Sequence, residues 1–182
     1  MGGQNRKRNQ LPSPSNLKAS ADWLRLEFAG KGRAKSALKQ VNLCLDEISS
    51  YEHHFLLAKA NCLGYLEKWD ELANLLQCLI TLYPRDPEVL CHHAQFHMAH
   101  GRWQKALQFL RSAEKGLELG ESPPFVEGLY DEKIECLVGM NNLAVAKREA
   151  KRVLKKYPTF SIIRARIDSL ESGTYQKPIP WA

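Results

Sequence analysis

The histidines are the first residues in this sequence whose spacing could support chemistry. His93 and His97 lie four residues apart, which places two imidazole side chains on one face of a helix. A tetrahedral metal site needs further ligands, and no second pair of histidines or carboxylates at ligand spacing supplies them. We therefore predict ordinary packed or surface histidines and no metal site.

The motifs that catalysis requires are missing from the sequence. It contains no glycine-rich phosphate loop, no nucleophile elbow and no zinc-protease pattern. The five cysteines are an odd number without a pair at two-residue spacing, which favours buried thiols in a reducing compartment. No apolar run reaches the length of a signal peptide or a membrane span. We expect a cytoplasmic protein that is not an enzyme, needs no cofactor and has no membrane span.

Positive charge is concentrated in two parts of the chain. The formal net charge is +6, and the basic residues among the first eighteen precede the first acidic residue, Asp22. Residues 1–16 have the Asn, Gln, Ser and Pro content of a disordered tail. A basic patch with helical spacing consists of Lys147, Arg148, Lys151, Arg152, Lys155 and Lys156. Tail and patch suggest an alternative function in association with nucleic acid. A solvated helix face is the simpler explanation of the patch, because no aromatic residues interleave with it to stack on bases.

A repeat of thirty-four residues organises the middle of the chain. Trp69 and Trp103 stand at equivalent places in two segments that align without a gap. Periods of this length are typical of stacked helical hairpins, each of which buries its apolar face against the next. Apolar residues recur at intervals of three and four between residues 17 and 172, which predicts about four hairpins and a last single helix.

Helix starts and turns separate these hairpins. Asp86 can accept a hydrogen bond at a helix N-terminus, and Pro87 suits the first helical position. Thr159 is expected to cap the last helix, which covers the open end of the stack and ends near residue 172. Residues 173–182 are expected to form an extended tail. The expected turns are at Gly101 and Asn141-Asn142.

These units resemble the tetratricopeptide repeat, a helix-turn-helix unit of the same length. That family has a small residue at its eighth position and small or medium apolar residues at its twentieth and twenty-seventh. The units starting at residues 53 and 87 match with Ala60, Leu72 and Leu79, and with Ala94, Ala106 and Ala113. The units starting at residues 18 and 127 depart at the eighth position, with Arg25 and Ile134. The resemblance covers roughly residues 18–160 and implies an all-α, right-handed superhelical solenoid of about four hairpins plus a C-terminal capping helix.

The resemblance also implies a function, because members of this family bind protein or peptide segments in a concave groove lined by their first helices. They act as adaptors, scaffolds or chaperones. The implied groove residues are His54, Leu57, Asn61, Tyr65, Glu88, Cys91, Gln95, Met98, Asp131 and Glu135, with Gly64, Gly128 and Val138 beside them. Leu57, Tyr65 and Met98 are expected to receive apolar side chains of the partner. The acidic end, where Glu127 and Glu132 adjoin Asp131 and Glu135, favours a Lys or Arg.

Two further interpretations stay open. A solvated acidic face explains Asp131 and Glu135 without any partner. The chain could also form a homodimer, because Trp23, Leu24 and Phe28 give its first helix an apolar face that could pair with a second copy. Protein partner, nucleic acid and second copy are therefore all candidates from the sequence.

Overall fold

The computed structural model describes residues 34–35, 38–39, 41–42, 52–117 and 123–175. From residue 52 onward, this part of the chain forms seven helices and no strand, so the predicted all-α fold is confirmed. The helices are α1 (Glu52–Tyr65), α2 (Trp69–Leu82), α3 (Pro87–Ala99), α4 (Trp103–Lys115), α5 (Pro123–Gly139), α6 (Leu143–Lys156) and α7 (Ser161–Ser172). No helix in the described ranges is both long and apolar enough to cross a membrane.

Several predictions fall outside the described residues. These are the basic tail, most of the first hairpin with the apolar face of Trp23, Leu24 and Phe28, and the end of the chain from residue 176. Within the first hairpin, residues 34–35, 38–39 and 41–42 are helical. Ala34 and Val41 are fully buried there.

The helices lie in two rows. α1, α3, α5 and α7 form the first row, in which each helix contacts the next. α2, α4 and α6 form the second row, and each packs against the helix before it and the helix after it in the chain. Among the described residues, the apolar core between the rows includes a cluster around Leu72 and Leu76 and a larger one around Leu110, Ile134 and Ile163.

The turns inside the three hairpins have the same geometry. Glu67, Gly101 and Asn141 all have positive φ, at 57°, 68° and 62°. In each turn the amide of the next residue bonds a carbonyl five residues earlier, at 2.8–3.0 Å, a pattern that satisfies carbonyls at a helix C-terminus. The predicted turns at Gly101 and Asn141-Asn142 are confirmed. Because the same turn recurs in all three hairpins, the described chain is repeat-like in structure as well as in sequence.

The predicted N-terminal cap is present at α3 but not at α7. The Oδ1 atom of Asp86 accepts a hydrogen bond from the amide of Val89 at 2.9 Å, and Pro87 is the first residue of α3, as predicted. The predicted cap of α7 by Thr159 is wrong. The helix begins after Phe160 without a cap from its own side chains, and Glu127 Oε1 of α5 accepts the amide of Ile162 at 2.6 Å. A carboxylate at a helix N-terminus also interacts favourably with the helix dipole.

Two glycines of α5 provide a matched test of this packing. A Cβ atom on Gly139 would lie 2.7 Å from the ring carbons Cε2 and Cε3 of Trp103, whereas a Cβ on Gly128 would meet nothing within 4 Å. We expect Gly139→Ala to lower the free energy of unfolding by about 1–3 kcal/mol through overpacking, and Gly128→Ala to raise it by up to about 1 kcal/mol through helix propensity. Urea unfolding of both variants measures the difference. Equal effects would contradict the close contact of Trp103 with α5.

Candidate functional site between the first helices

A groove of about 160 Å³ lies between α3 and α5 in the first row. Residues at the second, fifth and ninth positions of the unit starting at residue 87 line one side, and residues of the next unit line the other. The lining includes Glu88, Cys91 and Gln95 from α3 and Gly128, Leu129 and Glu132 from α5. The structure therefore brings part of the predicted groove set together at the junction of two hairpins.

Gln95 and Glu132 join the two walls of the groove. The Nε2 atom of Gln95 donates a hydrogen bond to Glu132 Oε1 at 2.5 Å. The other oxygen of each group, Gln95 Oε1 and Glu132 Oε2, is buried and has no hydrogen-bond partner within the described structure. A buried acceptor without a donor costs roughly 1–3 kcal/mol. The pair consequently leaves two buried oxygens in the groove wall without a hydrogen-bond partner, and both are acceptors when the Glu132 carboxyl group is ionised.

The electrostatic surroundings keep the Glu132 carboxyl group largely neutral at pH 7. Burial raises the pKa of Glu132 to about 8, although the hydrogen bond from Gln95 acts in the opposite direction. The negative charges of Glu135 and Asp131 add to the increase. A positive charge placed beside Glu132 would reverse this shift, because an opposite charge favours the ionised form.

The predicted acidic end of the groove is occupied by the chain itself. Arg166 of α7 bonds both carboxylate oxygens of Asp131, at 2.8 and 2.7 Å, and Glu135 Oε1 at 2.6 Å. The ring of Tyr175 lies 5.2 Å from the Arg166 guanidinium. We predicted from the sequence that a partner's basic residue binds at Asp131 and Glu135. In the structure Arg166 of the same chain takes that place and supplies the positive charge. Of the acidic cluster, Glu132 is the member that faces the groove.

Other predicted groove residues are placed differently from the expectation. Leu57 and Met98 are 1% and 2% exposed, so they pack between neighbouring helices and do not offer open apolar surface. Cys91 is buried but lines the groove, and Gly64 is buried as well. The remaining members, which are half-buried, are His54, Asn61, Tyr65 and Val138. The apolar wall of the groove instead includes the half-buried Phe125 of α5, with Leu129, which is as buried as Met98, beneath it.

The basic patch on α6 is partly neutralised by Glu149 of the same helix and by two carboxylates from other helices, Glu114 and Glu171, that the sequence pattern does not reveal. Arg152 bonds Glu149 at 2.7 Å and lies 3.5 Å from Glu114 of α4. Lys151 pairs with Glu171 of α7 at 2.8 Å. The other members of the patch are Lys147, Arg148, Lys155 and Lys156, of which Lys147 is half-buried and the rest are exposed. Because two of the six cations have acidic partners, the patch presents less positive charge than the sequence predicts.

A buried lysine, which the sequence analysis did not identify, links α4, α5 and α6. Lys133 is 5% exposed, and its Nζ atom lies 2.5 Å from Glu114 Oε2 and 3.1 Å from Glu149 Oε1. Burial opposes ionisation of Glu114, but the hydrogen bond and charge of Lys133 outweigh it and hold the pKa of Glu114 below its ordinary value. Lys133 stands among Asp131, Glu132 and Glu135 in the sequence, which is the pattern of an exposed charged turn and gives no sign of its burial.

His93 and His97 pack inside the hairpin of α3 and α4. His93 Nε2 lies 2.9 Å from the carbonyl oxygen of Leu76, and the rings of His93 and His97 both stack on Phe109. Burial, with the charges of Arg102 and neighbouring groups, lowers the pKa of His97 to about 4. Among the described residues, no group of three His, Cys, Asp or Glu side chains could hold a metal ion. The arrangement indicates a structural role for these two histidines.

Comparison with known proteins adds no relative. Neither protein-family models, curated proteins nor solved structures show a match to this chain. The groove geometry and the repeat pattern are therefore the features from which we infer a function.

Proposed function

We propose that this protein is an interaction module that holds a segment of another protein in the groove between its first helices. The arrangement proposed is a right-handed solenoid of tetratricopeptide-like hairpins, closed at its C-terminal end by α7. The two rows of helices and the three equivalent turns support it. In such a solenoid the first row lines the concave face, on which partner segments bind.

The observation that carries this proposal is the groove between α3 and α5. It joins an apolar wall, with Phe125 and Leu129, to polar groups of Gln95 and Glu132 that converge on one space. Concave sites with apolar walls and a few convergent polar groups are typical binding sites. Gly128 keeps the middle of the α5 wall open, because it has no side chain and no atom lies near where one would start.

Gly128→Trp tests the groove directly. The indole should fill the space between α3 and α5 without disturbing the helix, since tryptophan has a higher helix propensity than glycine and its Cβ meets no neighbour. Partner proteins retained by the intact wild-type chain from its native lysate, at high salt and after nuclease, should be lost with the variant. Quantitative mass spectrometry measures the loss.

The matched control is Gln108→Trp, which places the same indole on the exposed face of α4. It should retain the same partners as the wild-type protein. Equal retention by both tryptophan variants would contradict the proposed function. Loss of all partners on nuclease treatment would instead favour the nucleic-acid alternative.

A further inference from the structure

The groove has a chemical preference that follows from its two unused acceptors. Gln95 Oε1 and Glu132 Oε2 are buried, lack donors within the described structure and belong to side chains that line the same space. A cationic ligand in the groove favours the ionised form of Glu132, in which both oxygens are acceptors, and it brings the hydrogen-bond donors that these buried acceptors lack.

We propose that the groove binds the side chain of a lysine or arginine from the partner segment, with its cationic head between Gln95 Oε1 and Glu132 Oε2. This inference rests on the proposed function and names the residue that the module recognises. A lysine ammonium has three N–H donors and an arginine guanidinium has five. Either group can therefore donate a hydrogen bond to each of the two oxygens.

Charge favours a cation over a neutral donor at this place. Two of the groove's lining residues, Glu88 and Glu132, carry carboxyl groups. The nearby cation Arg166 is engaged by Asp131 and Glu135, so its charge is already shared between two other carboxylates. Hydrogen bonds between ionised partners are roughly twice as strong as those between neutral ones.

The apolar wall suits the stem of a long basic side chain. Phe125 and Leu129 lie on the same α5 wall as Glu132. Lysine and arginine bury their methylene stems along apolar surface while the charged head reaches polar groups. Burial and the charges of Glu135 and Asp131 raise the pKa of Glu132, and the hydrogen bond from Gln95 only partly offsets them, so a cation beside this carboxyl group would stabilise its ionised form.

The test uses randomised heptapeptides displayed for selection on the full-length wild-type protein, with the Gly128→Trp protein as counter-selection. Enriched peptides should share a lysine or arginine. Each is then synthesised with norleucine or citrulline at that position, which removes the charge and keeps most of the stem. The loss of affinity should be about tenfold or more on the wild-type protein and under about threefold on Glu132→Gln, because a charge pair is present only in the first case.

Three outcomes are distinguishable. A loss of affinity that depends on Glu132 supports the inference. Peptides that require the open groove but carry no basic residue, or that lose as much affinity on Glu132→Gln as on the wild-type protein, overturn the inference and leave the proposed function in place. Failure to select any peptide that separates the wild-type protein from Gly128→Trp overturns both.

Discussion

Replacement of Lys133 by methionine is expected to lower the free energy of unfolding by about 3–5 kcal/mol, the usual cost of removing one partner from a buried ion pair. Lys133 joins Glu114 and Glu149 at the centre of the contact between α4, α5 and α6. Methionine keeps an unbranched apolar side chain but removes the positive charge between the two carboxylates. Arg152, which is half exposed, is then the remaining cation in contact with them. Urea unfolding at pH 7 measures the loss.

The loss of stability in Lys133→Met should become smaller as the pH falls. Hydrogen bonds from Arg152, opposed by burial and reinforced by Lys133, lower the pKa of Glu149 from 4.5 to about 2. A lowered pKa contributes stability that is present above the ordinary pKa of 4.5 and is lost as the pH falls toward 2. The difference between the wild-type protein and Lys133→Met should therefore be complete at pH 7 and shrink below pH 4.5.

Lys151→Met is the matched control for this prediction. Lys151 also pairs with a glutamate, Glu171, but both side chains are largely exposed. Exposed ion pairs contribute little to stability because water and salt screen them. A similar loss in both variants would show that the network around Lys133 is not buried as described.

Glu132→Gln is expected to make the protein more stable at pH 8. The pKa of Glu132 is raised from 4.5 to about 8, chiefly by burial. A raised carboxyl pKa in the folded state means that stability falls as the pH rises from 4.5 to 8, because the folded state holds a proton that the unfolded state has released. Glutamine has no such proton, so the variant should gain on the order of 4 kcal/mol over the wild-type protein at pH 8.

Thermal unfolding at pH 5 and pH 8 measures this gain. The wild-type protein should lose more stability between the two pH values than Glu132→Gln does. Glu71→Gln, at an exposed position on α2, is the control and should behave as the wild-type protein. An unchanged pH dependence in Glu132→Gln would contradict the burial of this carboxyl group without a cation.

The same proton gives a binding signature. A lysine-bearing peptide should bind more tightly as the pH rises from 6 to 8, by nearly tenfold in the first pH unit and about fivefold in the second, and the gain should level off above pH 8, since binding requires the ionised carboxylate. The dependence should disappear in Glu132→Gln. Other ionisable groups around the carboxyl group remain in that variant, so the comparison isolates Glu132: they are Glu88, Cys91 and His92 on α3, Asp131, Glu135 and Cys136 on α5, and Arg166 on α7.

Local features of the fold could be predicted from the sequence because they depend on neighbouring residues. The turn at Gly101 needs a residue that adopts positive φ, and the start of α3 needs an acceptor followed by proline, so both are visible in short stretches. The equivalent tryptophans likewise pack alike: Trp69 contacts His100 at the end of α3, and Trp103 contacts Gly139 at the end of α5.

Contacts between distant helices could not be predicted in the same way. Asp131 and Glu135 look like a free acidic patch until Arg166, thirty-one residues beyond Glu135, is placed against them by the packing of α7. Thr159 had the right residue type for a cap, but Glu127 from α5 reaches the first amides of α7 instead. In both cases tertiary packing determines which side chain makes the contact, and the repeat period does not specify this packing.

The site was only partly predictable for the same reason. Gln95 and Gly128 follow from the repeat positions, whereas the sequence does not show that Glu132 faces the groove while Asp131 and Glu135 turn toward α7. Leu57 and Met98 were assigned to the groove surface by position, but the close approach of neighbouring first helices buries them.

The most direct test of the groove as the binding site is calorimetric titration of one selected lysine-bearing peptide into the wild-type, Gly128→Trp and Gln108→Trp proteins at pH 8. Our account predicts equal affinity for the wild-type protein and Gln108→Trp, and no measurable binding to Gly128→Trp. Binding of equal strength to all three proteins would contradict it, because the peptide would then lie somewhere other than between α3 and α5.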